Sequence, residues 1–347
     1  MTSYISTHSI TSSLRQSILK MQSELAANQT ELATGNYADI GLALGGRTGE
    51  SLSLQAEGAF LQTISDANAV VETRLSVTQN VLTNLQSSAQ DLLNALLATN
   101  DGTTNASTIQ ASGVSNFKAL ISNLNSTLDG DYLFAGTNTS SRPITDYYGA
   151  SMANKLAVDA AFSAAFGVSQ ADPGVSSISG ADMQGFLDTE FAPLFQGANW
   201  TTDWSSASDQ TLTNRVSPTL TENTSVSANE PGFQQLAQAY AMVADLGAQN
   251  LSSDAYQAVV STARSVLTSA IENIADLQAR VGVAQSSVMT ATDQMSLQMN
   301  ILSAEVSNLE SVNTYEVSAR MTSLQTQIEI SYSLTSQLQQ LSLVKFL

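Results

Sequence analysis

Apolar residues near the start of the chain recur every three or four positions. Ile10, Leu14, Ile18, Met21, Leu25 and Leu32 follow that rule, with Asn28 filling the one gap. The spacing predicts an amphipathic helix. A glycine-dense stretch, TGNYADIGLALGGRTGE, then predicts a turn-rich linker. A longer stripe follows: Ile64, Asn68, Val71, Leu75, Thr78, Leu82, Leu85, Ala89, Leu92 and Leu96. Steps of four and three alternate along it, the repeat of coiled-coil packing. TNDGTTNAS predicts its end near residues 100–102, and Val114, Phe117, Ile121, Leu124 and Leu128 predict a shorter helix beyond.

The C-terminal flank mirrors this pattern. Leu236, Tyr240 and Val243 predict a helix after Pro231-Gly232, broken at LGAQNLSSD. Tyr256, Val260, Ala263, Leu267, Ala270, Ile274, Leu277, Val281, Ala284 and Val288 open a new stripe, carried on by Ala291, Met295, Leu302, Leu309 and Val312. The register then slips by one residue to Val317, Met321, Leu324 and Ile328, a stutter-like adjustment. Leu334, Leu338 and Leu341 lie on one helical stripe near the end. From about 254 onward there is no proline, and only Gly282 interrupts. A continuous helix there would run on the order of 135 Å, so at least one bend or break is expected.

All five prolines fall between 143 and 231, and so do both tryptophans, Trp200 and Trp204. Proline breaks helices, so the flanks can hold long helices and the middle cannot. ANKLAVDAAFSAAFGV and ADMQGFLDTEFAPLF predict two short helices, and TLTNRVSPTLTENTSVSANEPGF predicts strand, turn, strand. The expected fold is mainly α: an elongated, coiled-coil-like helical body from both chain ends, carrying a smaller inserted mixed α/β domain. The expected divisions are an N-terminal helix (1–40), a first half-body (41–136), the insert (137–232), a second half-body (233–312) and a C-terminal helix (313–347). The two half-bodies can cover each other's stripes. The extreme ends have only each other, so further subunits are expected to cover the rest.

Composition sharpens this. Only 12% of the 347 residues are charged, against about 25% in an average domain. Ser, Thr, Asn and Gln carry the polarity instead, which gives a hydrated but weakly self-repelling surface suited to packing against copies of itself. A net charge of −18 and a pI of 4.1 argue against a nucleic-acid partner. The absence of cysteine excludes thiolate zinc, a cysteine nucleophile and disulfides. The single histidine, His8, lies in a polar Ser/Thr run and is read as an exposed polar residue. The N-terminal MTSYISTHSITSSLRQSILKM lacks a basic then apolar leader pattern, so no secretory signal is expected, and a signal-less export route stays open. No run approaches the roughly 18 apolar residues of a membrane span. The last 30 residues carry only Arg320 and Lys345 as basic groups, which favours helix-to-helix packing over membrane insertion.

Candidate chemistry is thin. Asp182, Asp188, Glu190, Asp203 and Asp209 cluster near Trp200 and Trp204, and paired carboxylates beside aromatic platforms are what a glycosidase uses. Sequence proximity says nothing about the separation of those carboxyls, and a solvated acidic face with the two tryptophans packed on a small core is the preferred reading. GLALGGRTGESL lacks the Lys-Ser/Thr ending of a phosphate loop. DGTTNAS and DGDYLFAGTNTSS lack the ligand spacing of a calcium loop. No catalytic, cofactor-binding or metal-binding residue is assigned, and no cofactor is expected.

Three segments resemble a known family. GDYLFAGTNTSSRPI (130–144) is similar to the passage from helical body to outer domain in the bacterial flagellin family. YEVSARMTSLQTQIEISYSLTSQLQQLSLVKFL (315–347) resembles that family's C-terminal helix, including Ser331-Tyr332 and Leu341-Ser342-Leu343. ELATGNYADIGLAL (31–44) is similar to its post-helix segment but lacks the Pro-Ser-Asp-Asp-like run of many members. The likeness covers about 1–145 and 215–347 and is greatest to members at the junction of hook and filament. The resemblance implies a non-enzymatic structural subunit of the extracellular flagellum, passed unfolded through the flagellar type III export apparatus. It implies paired terminal helices as an inner coiled-coil layer. The apolar stripe of that layer would be Ile10, Leu14, Ile18, Met21, Leu25, Leu32, Val317, Met321, Leu324, Ile328, Leu334, Leu338 and Leu341. The implied partners are further copies in a ring or tube, the first hook-associated protein, flagellin and an export chaperone. Flagellin itself, the filament subunit, is the alternative, and a secreted hydrolase carried on the insert is a remote one.

Overall fold

The computed structural model describes residues 7–98, 106–149 and 152–344, without the side chains of 7, 8, 11 and 338–344. His8's side chain and the helix end predicted at 100–102 lie outside that description. The element order is α1 (Thr7–Thr34), α2 (Ile40–Leu44), α3 (Thr48–Leu97), α4 (Ala106–Leu124), β1 (Thr127–Leu128), β2 (Asp131–Tyr132), α5 (Ala153–Phe166), α6 (Gly180–Phe186), α7 (Gly197–Asn199), β3 (Thr213–Arg215), β4 (Thr221–Asn223), α8 (Pro231–Asp245), α9 (Ser253–Glu310) and α10 (Thr314–Val344). The fold is mainly α, and its strands form two small antiparallel pairs, β1–β2 and β3–β4. The described residues cluster in two compact units, one from 1–63 with 295–347 and one from 64–294.

In the 64–294 unit the helical stripes are covered. Every member of the α3 stripe from Ile64 to Leu96 is buried, and so is every member of the α9 stripe from Tyr256 to Ala291. Asn68 is buried inside the apolar stripe and donates to the carbonyl of Val216 (2.9 Å) and to Thr292 Oγ1 (3.0 Å). A polar group in a dry seam fixes register, because any slip would leave it without a partner. Helices α4 and α8 pack closely where Gly113 meets Val243: a Cβ at 113 would lie 2.8 Å from Val243 Cγ1.

The middle of the chain is organised by aromatic rings. Phe117 meets Tyr147 (4.8 Å between centroids), and Tyr147 stacks on Trp204 (5.5 Å). Trp204 stacks on Trp200 (5.6 Å) and contacts Phe195 (4.7 Å), from which Phe191, Phe186 and Phe162 continue the run. α5, the α6 segment and the β3–β4 hairpin fall where the two short helices and the strand–turn–strand are predicted, with a π-helical turn at Leu187–Phe191 and another at Trp200–Trp204.

Three local details differ from the sequence reading. The glycine-dense linker is partly helical: Asp39 caps α2 by accepting from Leu42 N (2.9 Å), and Gly45 leaves it with φ +54°. The helix predicted through Leu128 stops at Leu124, because Asn125 turns its side chain onto both backbone groups of Ile144 (2.9 and 3.0 Å). Leu128 belongs instead to a hairpin whose turn residues, Asp129 (φ +53°) and Gly130 (φ +93°), both adopt positive φ. The break expected after residue 254 falls at 311–313, where the register slips, and Gly282 lies within α9 without ending it.

A polar cluster ties α5 to the end of α8. Tyr147 donates from its hydroxyl to Asp245 Oδ2 (2.6 Å), and Lys155 pairs with Asp245 (3.1 Å) and with Asp159. Burial, and then the Asp245 charge, pushes the Tyr147 hydroxyl far above its ordinary 10.0. The fold therefore holds the proton more tightly than the unfolded chain does. The stabilisation is complete below about pH 10 and is lost as pH rises beyond it. Urea titrations from about pH 8 to about pH 11 should show stability falling on the alkaline side. Tyr147→Phe should flatten that fall while costing about 2 kcal/mol at neutral pH.

Candidate functional site

The 1–63 and 295–347 unit contains the two terminal helices, and α1 and α10 pack against each other. Their antiparallel register is fixed at two levels. Near the free ends, Gln22 Nε2 donates to the Tyr332 hydroxyl (2.8 Å). At the other end the backbones meet: Tyr37 N donates to Glu310 O (2.9 Å), Val312 N donates to Gly35 O (2.8 Å), and Asn36 bridges Ser311. Gly35 has φ +73°, a left-handed conformation that glycine adopts without strain and that ends α1.

Glu310 is the hub of this joint. Its carboxylate is buried, with Oε1 accepting from the Ser51 hydroxyl and from Gln55 Nε2 (2.7 Å), both on α3. Its backbone carbonyl accepts from Tyr37. One residue thus fastens the last turn of α9 to α3 and to the α1–α2 connection. A buried carboxylate is tolerated only when its oxygens are hydrogen-bonded. The apolar stripes carry no signal for Glu310.

Coverage of the terminal stripe is partial. Ile18 (8% exposed), Val317 (2%), Leu324 (7%) and Ile328 (9%) are buried between α1 and α10 or beside them. Leu14, Met21, Leu25 and Met321 are half-buried. Ile10 (37%), Leu32 (38%) and Leu334 (46%) are exposed. The side chains of Leu338 and Leu341 lie outside the described residues. Leu19, Ile330 and Tyr315 are more exposed than any described member of the stripe, and the stripe reading omits them. Ile330 stands one turn before Leu334 and was legible by that spacing. Leu19 stands alone on a polar face, where periodicity gives no signal.

The segment YLFAG has a structural role in the other unit. Leu133, Phe134, Ala135 and Gly136 are all buried. Phe134 O accepts from Ala228 N (2.7 Å), Ala135 O accepts from Ser208 N (3.0 Å), and Ala135 bridges Ser227. Gly136 has φ +62°, and a Cβ there would lie 2.3 Å from the carbonyl oxygen of Ser208, so only glycine fits. This strip ties the way into the middle segment to the way out of it.

The acidic residues near the tryptophans do not form a lined cleft with them. Trp200 and Trp204 are buried, and their indole N–H groups donate to Asn229 Oδ1 (3.0 Å) and Leu194 O (3.0 Å). Asp182, Asp188, Glu190 and Asp209 are exposed, and Asp203 is half-buried. Among the described residues no group of three or more His, Cys, Asp or Glu side chains is arranged to hold a metal, and no helix is long and apolar enough to cross a membrane.

Two family models match the chain. The bacterial flagellin N-terminal helical region matches residues 5–139, and the bacterial flagellin C-terminal helical region matches residues 265–347. Together they span more than half of it. Among solved structures, the fold is similar to that of a proposed flagellar hook-associated protein from Vibrio parahaemolyticus. The TM-score is 0.52 at 12% identity, over 75% of this chain and 95% of that one. No curated protein matches the chain.

The Glu310 joint is testable. Glu310→Gln keeps one carbonyl oxygen for Ser51 or Gln55 and should cost less than Glu310→Ala, which strands both donors and should cost about 1–3 kcal/mol. Native-state hydrogen exchange should show the loss in residues 31–37 and 310–317, with α4 and α8 unaffected.

Proposed function

The chain belongs to the bacterial flagellin family and is a structural subunit of the flagellum, an extracellular appendage. On that premise we propose that it joins hook to filament, as the third hook-associated protein does. The observation that carries the assembly part of this reading is the incomplete coverage of α1 and α10. They pair with each other yet leave Ile10, Leu19, Leu32, Ile330 and Leu334 exposed. Neighbouring copies in a ring or tube would cover these side chains, and the stripe from Ile10 to Leu341 would become an inner layer.

The junction role is preferred to that of the filament subunit on one sequence feature: GDYLFAGTNTSSRPI resembles hook-associated members. The fold likeness to a protein described as hook-associated is compatible with either role. In this reading the first hook-associated protein lies below, flagellin lies above, and 137–232 forms an outer domain between entry and exit strands. An export chaperone holds the α10 stripe before passage through the type III export apparatus. The family is one of structural proteins and not of enzymes. The buried, hydrogen-bonded tryptophans also remove the stacking platform that a hydrolase on the insert would need.

The test is electron microscopy of a deletion strain, with an assay for flagellin shed into the medium. The expected result is hooks without filaments and free flagellin in the medium. Loss of filaments with no flagellin anywhere would make this chain the filament subunit, and normal attached filaments would overturn both. Complementation with the full chain should restore filaments. A chain lacking 313–347 should be made, keep a folded 64–294 unit by circular dichroism, and fail to restore them.

A further inference from the structure

Lys118, Ser122, Tyr132, Arg142, Asp146 and Tyr148 line an open groove of 480 Å³ in the 64–294 unit. Lys118 Nζ lies 5.0 Å from the centroid of the Tyr148 ring, and both Arg142 and Tyr148 are exposed. Most basic side chains of this unit are already engaged. Lys155 pairs with Asp159 and Asp245, Arg280 pairs with Glu230, Arg264 donates to the carbonyl of Leu96, and Arg74 donates to the carbonyl of Tyr132. Among the described residues of this unit, Lys118, Arg142 and Arg215 have neither an ion pair nor a side-chain hydrogen bond, and two of those three share this groove. Asp146, the one carboxylate of the lining, accepts from Tyr148 N (3.1 Å).

The same unit has an edge of opposite character. Between Lys155 and Arg215 the sequence contains no lysine or arginine and seven acidic residues. Asp182, Asp188 and Glu190 stand exposed within nine positions of one another. Asp182 accepts from the Ser179 hydroxyl (2.7 Å) and Asp188 from Gln184 (3.0 Å), and among the described residues none of the three has a cationic partner.

We propose that the groove of one copy holds the acidic 182–190 edge of the next copy of this chain. The inference rests on the reading that the protein assembles with itself. Three considerations select this occupant. Acidic residues outnumber basic ones 30 to 12, so the charged group a neighbouring copy most often presents is a carboxylate. The guanidinium of Arg142 offers the planar fork that carboxylates accept, and Lys118, held over Tyr148, adds a second cation beside it. Finally, a ring or tube needs a heterologous contact, in which one surface meets a different surface of the next subunit; a self-complementary patch would close a dimer instead. Each exposed pair is weak by itself. Repetition around a closed assembly makes them act together, and screening by salt should loosen them.

The chain has no cysteine of its own, so introduced thiols report on a single contact. The full chain carrying R142C and E190C would be expressed in the deletion strain, and flagella would be sheared off, oxidised mildly and run on a non-reducing gel. The expected result is a ladder of multimers of this chain, absent with either cysteine alone beyond the dimer. Monomer only, in flagella shown by antibody to contain the variant, would overturn the contact, as would a cross-link to a protein of another mass. Absence of the wild-type chain from purified flagella would overturn the assembly reading, and this contact with it. Should the double variant fail to be incorporated, a charge swap decides. Arg142→Glu should lower the shear force that detaches filaments at least twofold, and R142E/E190R should restore it; no restoration would overturn the proposal.

Discussion

A helix with an apolar stripe along one face needs a partner over the whole length of that stripe. The helices of this chain depend on that requirement more than most. They are rich in Ser, Thr and Asn, which contribute little intrinsic helicity, so tertiary packing must supply what propensity does not. In the 64–294 unit the requirement is met from within. The stripes of α3 and α9 are buried from end to end, and α4 and α8 approach closely enough that only glycine fits at 113. Each buried leucine there contributes on the order of 1.5–3 kcal/mol. In the unit formed by the chain ends, four residues of the terminal stripe are buried and the rest of the described ones are half-buried or exposed. The same constraint is satisfied in one unit and only partly in the other, which under the proposed assembly makes the ends of the chain the place where further subunits would gain most by binding.

Polar residues inside these seams decide which packing is adopted. A wholly apolar stripe tolerates sliding by a heptad, because leucine meets leucine again. Asn68 does not, since its amide must find the carbonyl of Val216 and the hydroxyl of Thr292. Glu310 is more demanding, because a buried carboxylate away from Ser51 and Gln55 would be strongly destabilising. Gln22 and Tyr332 do the same for α1 and α10 at lower stakes, being exposed. The apolar residues supply most of the stability, and these few polar ones select the register.

The helical plan was legible because it rests on spacing. The α3 and α9 stripes, the slip after Val312 and the confinement of proline to the middle are all periodic or distributional features, and the structure follows them. What spacing hides is chemistry that depends on distant partners. Glu310 looks like any acidic residue at the edge of a stripe until Ser51, 259 positions away in sequence, is placed against it. Trp200 and Trp204 were legible as tryptophans in a small core, but the extent of that run of rings, drawn from α4, α5 and the π-helical turns, was not. The hairpin at Asp129-Gly130 carried its own local signal, a dipeptide suited to two positive φ angles. A helical stripe that happened to continue to Leu128 obscured it.

The strip from Leu133 to Gly136 holds the two ends of the middle segment together. Its backbone is hydrogen-bonded to Ser208 and Ala228, and Thr145 and Pro143 are bonded to Trp204 and Ser206. Chain entering the middle is therefore paired with chain leaving it. Whatever lies between is closed off as a loop whose ends are fixed in space, and lengthening such a loop costs only logarithmically in entropy. The rings from Phe162 to Trp204 pack within that loop and continue into the core of the flanking helices through Phe117 of α4. The loop also meets α3 and α9 away from that neck: Asn68 donates to the carbonyl of Val216, Thr262 to Gln184 and Ser287 to Glu222. The middle segment is thus fixed at its two ends by paired backbone and along its length by side-chain contacts to the helices, so a change in its sequence must preserve both sets of contacts to leave the α3 and α9 seams intact.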